Sequence, residues 1–348
     1  MNKISTYLLM FSLLSFTSIN AQELGEFKPK ETSYKPKKIN EGSKKIYISS
    51  FNINFEIYKE AVDTKKAGGF GNTIKNAAKA KAAIGLATLD KDALQNKADQ
   101  LYAEFVSEVK SKGYSIITAE EAGKTETYKG WKNANGPAIF ETDMTGILSV
   151  IPTNHSFYYK DRTALSNTID GFDKTPQNLS KDLDDALIAD ISLIYVFSEV
   201  GSDWNVGNQA KVKLLVNYRL ANNFTVSDEK TSSGFSSMVD KSKQSVALAS
   251  YVNFTRGKLK IGGSPEAMFS GGMKSDLEID GVLKKEKVVA FSTQTQATAT
   301  SLNPVVMIRG DNYSENTKWL EPDGTKYADG MYLAGNKLIK HYLNEVFK

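Results

Sequence analysis

The chain has 348 residues, with 44 Lys+Arg against 40 Asp+Glu, two His and no Cys. Without Cys there are no disulfides, thiolate metal sites, Cys nucleophiles or lipid-bearing Cys, and two His are too few for a His-built metal cage. Residues 1–45 hold eight Lys and four Glu, so the net charge of +4 lies there and the body balances at 36 basic and 36 acidic side chains. A neutral body has no broad positive field, and no nucleic-acid partner is expected.

Residues 1–21 read as a signal peptide. Lys3 supplies the positive start, Leu8 to Phe16 the apolar run, and Ala21 a small residue before Gln22. The run is too short to span a bilayer, and no later stretch approaches 18 continuous apolar residues. The expectation is export, to a periplasmic, outer-membrane-associated or extracellular location. Residues 22–45, with Pro29, Pro36 and seven Lys, read as a flexible tether or an extended arm. Either it is a solvated spacer, or it makes a peripheral contact with an anionic surface such as lipid headgroups.

From residue 46 on, one α+β domain is expected. Phe51, Ile53, Phe55 and Ile57 alternate with Asn52, Asn54 and Glu56, which predicts a strand. Thr73–Ala87 reads as helical or mobile. Leu94, Ala98, Leu101, Phe105 and Val109 mark a helix over 91–112, with Asp90 as its cap and Gly113 at its end. Tyr114–Ile117 is a short strand, and Thr118 with Glu121 caps a short helix. Strand, helix, strand is a βαβ-type start to a mixed sheet. Strands return at 146–151 and 157–159. Leu179, Leu183, Leu187 and Ile188 suggest a helix before Asp190. Ile191–Phe197 is continuously apolar and reads as a central strand, forming an antiparallel hairpin with 212–220. Segment 226–302, rich in Ser and Gly, reads as an insertion with strands at 247–254 and 258–261. Asp280-Gly281 predicts a hairpin joining Met273–Ile279 to Val282–Phe291, and Val305–Ile308 a further strand. The chain closes with a helix over 327–346. No period of 20–50 residues repeats.

The catalytic motifs fail. There is no G-x-S-x-G elbow, and His155 and His341 read as a loop residue and a helix-boundary residue. Gly68-Gly69-Phe70-Gly71 and Gly271-Gly272-Met273-Lys274-Ser275 lack phosphate-loop spacing. Asp276 to Gly281 starts like a calcium loop, but position 12 is Lys287, and a strand entering a turn fits better. Asp182, Asp184 and Asp185 are accounted for by a helix terminus. No catalytic residue, cofactor site or metal site is assigned. Tyr128, Trp131, Tyr158, Tyr159 and Trp204 fall in loops or at strand ends and form the candidate interaction surface, suited to carbohydrate or protein.

The run Lys45 to Phe55, the helix Leu94 to Lys112, and Gly113-Tyr114-Ser115-Ile116-Ile117 with Glu120-Glu121 together resemble the α/β domain of the curli secretion channel protein (CsgG) and TolB N-terminal-like envelope proteins. Asp190 to Val196 resembles their later strand that opens with Ala-Asp. The resemblance spans most of 45–220 plus 327–346, and it implies an α+β envelope domain. The lipidated Cys of the curli channel proteins has no counterpart here. The expected function is a non-enzymatic exported protein that binds or assembles envelope components, with another envelope protein or cell-wall glycan as partner. Two alternatives are a glycan hydrolase using paired carboxylates and an oligomeric outer-membrane pore.

Overall fold

A computed structural model describes residues 22–65, 78–142, 144–160, 174–201, 210–228, 244–291, 314 and 316–348. The first alternating segment is β2 (Lys45–Glu56), preceded by β1 (Pro29–Tyr34). The continuous apolar segment is β10 (Leu187–Val200), which lies parallel to β2 at the centre of the main sheet. On one side follow β14 (Tyr251–Arg256) and β15 (Ala267–Met273), both antiparallel, and then β1 as the edge. On the other side come β8 (Ile147–Ile151) and β7 (Ala138–Glu141). The fold is mixed α+β, as the patterning predicts.

The βαβ-type start is present. Helix α1 (Lys91–Ser111) begins on the Asp90 carboxylate, which accepts from Ala93 N at 2.9 Å, and Gly113 adopts φ +84° at its end. It leads to β5 (Ser115–Ile116), parallel to the start of β2. Between β2 and α1, β3 (Tyr58–Lys65) and β4 (Ala78–Leu86) pair antiparallel, and β18 (Thr317–Leu320) joins β4. Residues 78–86 are therefore strand rather than the expected helical or mobile segment. Alternate alanines pack inward there, and Gly85 lets the Trp319 ring lie on the strand.

Helices α1 and α4 (Gly324–Val346) cover the front of the sheet. Gly335 brings α4 against Tyr195, whose hydroxyl donates to Met331 O at 2.7 Å; a Cβ at 335 would lie 2.6 Å from that hydroxyl. The two helices share Glu104, which accepts from Tyr332 Oη and Asn336 Nδ2, each at 2.6 Å. On the back lie α2 (Ala119–Ala122), α3 (Thr175–Asp182) and the ribbon of β6 (Lys132–Asn135) with β9 (Ser156–Tyr159). Helix α3 stops at Asp182, and Leu187 and Ile188 open β10 instead of continuing the helix.

The upper part of β10 pairs antiparallel with β11 (Lys211–Leu220), as the predicted hairpin. The ladder is irregular between Val196 and Ser198, where the Glu56 carboxylate accepts from Phe197 N (3.2 Å), Ser198 N (3.0 Å) and Ser198 Oγ (2.8 Å). Glu56 is fully buried. Burial pushes its pKa up, against the opposing pull of Lys59 and the Ser198 hydrogen bonds.

Three expectations change in 226–302. The predicted strand 247–254 is broken at Ser250 into β13 (Gln244–Ala249), paired with β12 (Asn223–Asp228), and β14. Residues 258–261 form a loop. Asp280-Gly281 makes a turn with Gly281 at φ +80°, but the flanking strands do not pair with each other. Both β16 (Leu277–Glu278) and β17 (Lys287–Phe291) pair antiparallel with β11, one after the other. The turn is an excursion within one broken edge because β11 offers both halves a backbone partner. Of the described part of the segment, β14 to β17 belong to the main sheet, while β12 and β13 form a separate two-stranded ribbon; residues 229–243 and 292–302 lie outside the described residues, as do 1–21 and 305–308.

Residues 22–45 are an arm packed on the sheet, not a loose tether. β1 pairs with β15 over six residues, Leu24 bridges Ile279, and Ile39 is 1% exposed. Arg256 staples the arm: its buried guanidinium donates to Ile39 O (2.9 Å), Ser43 O (2.9 Å) and Asp185 O (2.7 Å). The polar composition hid this, because the arm is held mostly through its backbone.

Candidate functional site

Four of the five candidate aromatics fall in the described residues; Trp204 does not. Tyr128, Trp131 and Tyr158 come together: Tyr128 stacks on Tyr158 at 4.4 Å and meets Trp131 at 5.2 Å. Tyr128 is 4% exposed and packs with Tyr47, Leu179, Leu183 and Ile188, so it is a core residue of the small back layer. Tyr158 donates to Ala119 O at 3.1 Å and covers Gly123. Trp131 is half-buried, with Lys160 Nζ 5.7 Å over its ring. Tyr159 is separated from the others. It follows Tyr158 along β9, so it faces the other way, with Phe157. The candidate surface is therefore a half-buried aromatic wall, with Tyr159 outside it.

Behind that wall the alternation of the central strands builds a second feature. Even-and-odd placement sends Ile46, Ile48, Phe51, Ile53 and Phe55 of β2 to the front core. An extra residue at Ser49 resets the register, so that Ala189 faces Ile48 but Asp190 faces Ser50. On the back, Ser270, Asn253, Asp190 and Ser50 then stand in one row across β15, β14, β10 and β2. The next row is Tyr251, Ser192 and Asn52. At strand spacings near 4.8 Å, the four-residue row is roughly 14 Å long. All of these residues except Ser192 are half-buried.

Apolar patches close the strip at both ends. Tyr47 and Ile188 lie under the aromatic wall and α3, while Ile194 and Val196 lie under Ala221, Phe224 and Leu248. Within the strip, Tyr251 Oη donates to Asp190 Oδ2 at 3.2 Å and Asn52 Nδ2 to Ser50 Oγ at 2.8 Å. The Asn253 side-chain oxygen is covered and has no hydrogen-bond partner. An unmet buried acceptor costs about 1–3 kcal/mol. Tyr47, beside the strip, has its hydroxyl pushed up to about 12 by burial, with the Tyr128 hydroxyl pulling the other way.

The remaining chemistry is committed to structure. His155 is 1% exposed, and its Nε2 accepts from Phe51 N at 3.1 Å, just where β2 runs beyond its ladder with β8. Burial takes its pKa down to about 4, so it stays neutral. The Asp276 carboxylate accepts from Arg219 Nε (2.7 Å) and Asn222 N (2.8 Å), which occupies the first residue of the calcium-like run. The same carboxylate lines a cavity of about 450 Å³ together with Glu26, Glu199 and Glu278 and the cations Lys28 and Arg219, with no aromatic ring. Among the described residues no group of three or more His, Asp or Glu is placed to hold a metal ion. None of them forms a helix long and apolar enough to cross a membrane.

Sequence reading missed the strip because Asn52 and Asn54 look like an ordinary solvent face and Asn253 lies 63 residues past Asp190. The available signal was Asp190, an acid just before the continuous apolar run Ile191–Phe197. No protein family, curated protein or solved structure matches this chain.

Proposed function

We propose that the protein is an exported, non-enzymatic binding protein of the bacterial envelope that holds a hydroxyl-rich ligand, a segment of envelope glycan, on the polar strip. The in-register row Ser270–Asn253–Asp190–Ser50 carries this reading: hydroxyls, an amide and a carboxylate in one line match the donors and acceptors of sugar hydroxyls. At its Tyr47 end, Trp131 and Tyr158, the partly buried members of the aromatic wall, supply apolar surface of the kind that accompanies such groups in ligand sites. Export is inferred from residues 1–21, and the envelope setting from the resemblance to the curli-channel and TolB-like group. A two-carboxylate hydrolase gains less support: the strip holds Asp190 as its carboxylate, Glu56 is sealed in the β10 irregularity, and the cavity that gathers Glu26, Glu199, Asp276 and Glu278 has no aromatic lining for a sugar.

Calorimetric titration with soluble cell-wall glycan fragments tests the reading. The protein is expected to bind, and Asp190→Asn to weaken binding by roughly 10–100-fold, the worth of a hydrogen bond to a charged group. Absent binding, an unaffected Asp190→Asn variant, or release of new reducing ends would each overturn it.

A further inference from the structure

A second feature lies at the end of the sheet where β14 passes to β15. The connecting loop carries Ile261 at its tip, 91% exposed, after Lys258 and Lys260 and before Gly262 and Gly263, which turn the chain at φ +81° and +67°. A lone exposed Ile is ordinary. This one is flanked on its loop by Lys258 and Lys260, and the arm brings further lysines to the same end of the sheet. The single 3-10 turn Pro36–Ile39 of the arm packs at the same end, where Tyr34 pairs with Met268 and Lys38 forms an ion pair with Glu266. Lys35 adds to it, 5.0 Å over the Tyr34 ring, itself 45% exposed.

The local acids are mostly engaged. Glu266 is held by Lys38 and Asp185 by Arg256, while Asp184 and Glu41, the latter close to Lys38, subtract one charge each. Lys258 bonds to the neutral Asn178 side chain and keeps its charge. Lys35, Lys37, Lys258 and Lys260 therefore give this end an excess of positive charge around a protruding apolar tip, although the body as a whole is neutral. We propose that this end docks on an anionic lipid bilayer, with Ile261 and Tyr34 entering the headgroup region and the four lysines resting on anionic headgroups. A projecting apolar residue flanked by lysines is complementary to that surface and to no apolar groove.

The test is vesicle co-flotation of the full chain, with neutral phosphatidylcholine vesicles and with vesicles containing about 30 mol% phosphatidylglycerol. Wild type is expected to prefer the anionic vesicles and to release at roughly 0.5 M salt. Each lysine is worth roughly fivefold, so Lys258→Glu with Lys260→Glu is expected to cost at least tenfold. Ile261→Ser is expected to weaken binding to the anionic vesicles at low salt. Residues 1–21 are common to every variant, and the loop is exposed, so an unchanged thermal midpoint verifies folding. Equal binding to both vesicle types, no binding to either, or charge-reversed loop variants that bind like wild type would overturn the proposal.

Discussion

The two faces of one sheet serve different ends. On the front, every inward residue of β2 from Ile46 to Phe55 is at most 3% exposed and is packed by α1 and α4. On the back, the alternate residues of the same strand are Ser50, Asn52 and Asn54, all half-buried. A sheet built for stability alone would bury both faces or let one stand in water. Here the back is closed at both ends by apolar patches and kept polar between them, which costs stability at Asn253. The front holds the molecule together, and the back is the face that the proposed function gives to a ligand.

The largest expected effect breaks the front. Phe55 is fully buried, stacked on Tyr195 at 5.3 Å and tilted against Tyr327 at 6.0 Å. Phe55→Ala should cost about 3–5 kcal/mol in urea unfolding, from lost transfer free energy and the cavity it leaves. Asp190→Asn, on the back, should cost under about 1 kcal/mol while weakening the proposed glycan binding by roughly 10–100-fold. A back-face change as damaging as the front one would end the division of labour.

Two buried ionisable groups sharpen it through pH, with opposite signs. The folded pKa of His155 is about 4, below the ordinary 6.5, so the unfolded chain takes up a proton first as pH falls. Stability is retained above pH 6.5 and lost towards pH 4, by up to about 3 kcal/mol. His155→Gln should flatten that part of a stability–pH curve. Glu56 has a folded pKa raised by burial, so the folded state holds its proton after the unfolded state has released it. Its contribution is fully present at acid pH and lost as pH rises through the folded value. Glu56→Gln should match wild type at low pH and become the more stable of the two near neutrality, measured by thermal unfolding across pH.

The front was legible because it rests on periodicity. Leu94, Ala98, Leu101, Phe105 and Val109 are the buried stripe of α1, and Ile191–Phe197 is the sheet centre. For residues 22–45 the tether and the extended arm stayed open in the sequence, because the side chains of β1 are exposed and the strand is held through its backbone. The Asp280-Gly281 hairpin failed because a tight turn does not dictate which neighbour its flanks choose, and β11 was already there. Of the candidate site, the aromatic wall was found from residue type. The polar row was not, since it depends on a register between strands far apart in sequence and on one extra residue at Ser49.

The smallest effect is the most discriminating. The covered oxygen of Asn253 lacks a hydrogen-bond partner, so an apolar side chain of similar size removes a penalty instead of a contact. Asn253→Leu should raise unfolding stability by about 1 kcal/mol in the absence of ligand. If the amide is kept for a glycan, turning into the strip when one binds, the same variant should bind glycan fragments at least tenfold more weakly, by calorimetry. A stabilised variant that binds normally would leave Asn253 as a packing defect and move the ligand contacts to Asp190 and Tyr251. A destabilised variant would show that the amide already supports the sheet, and the cost ascribed to the back face would disappear.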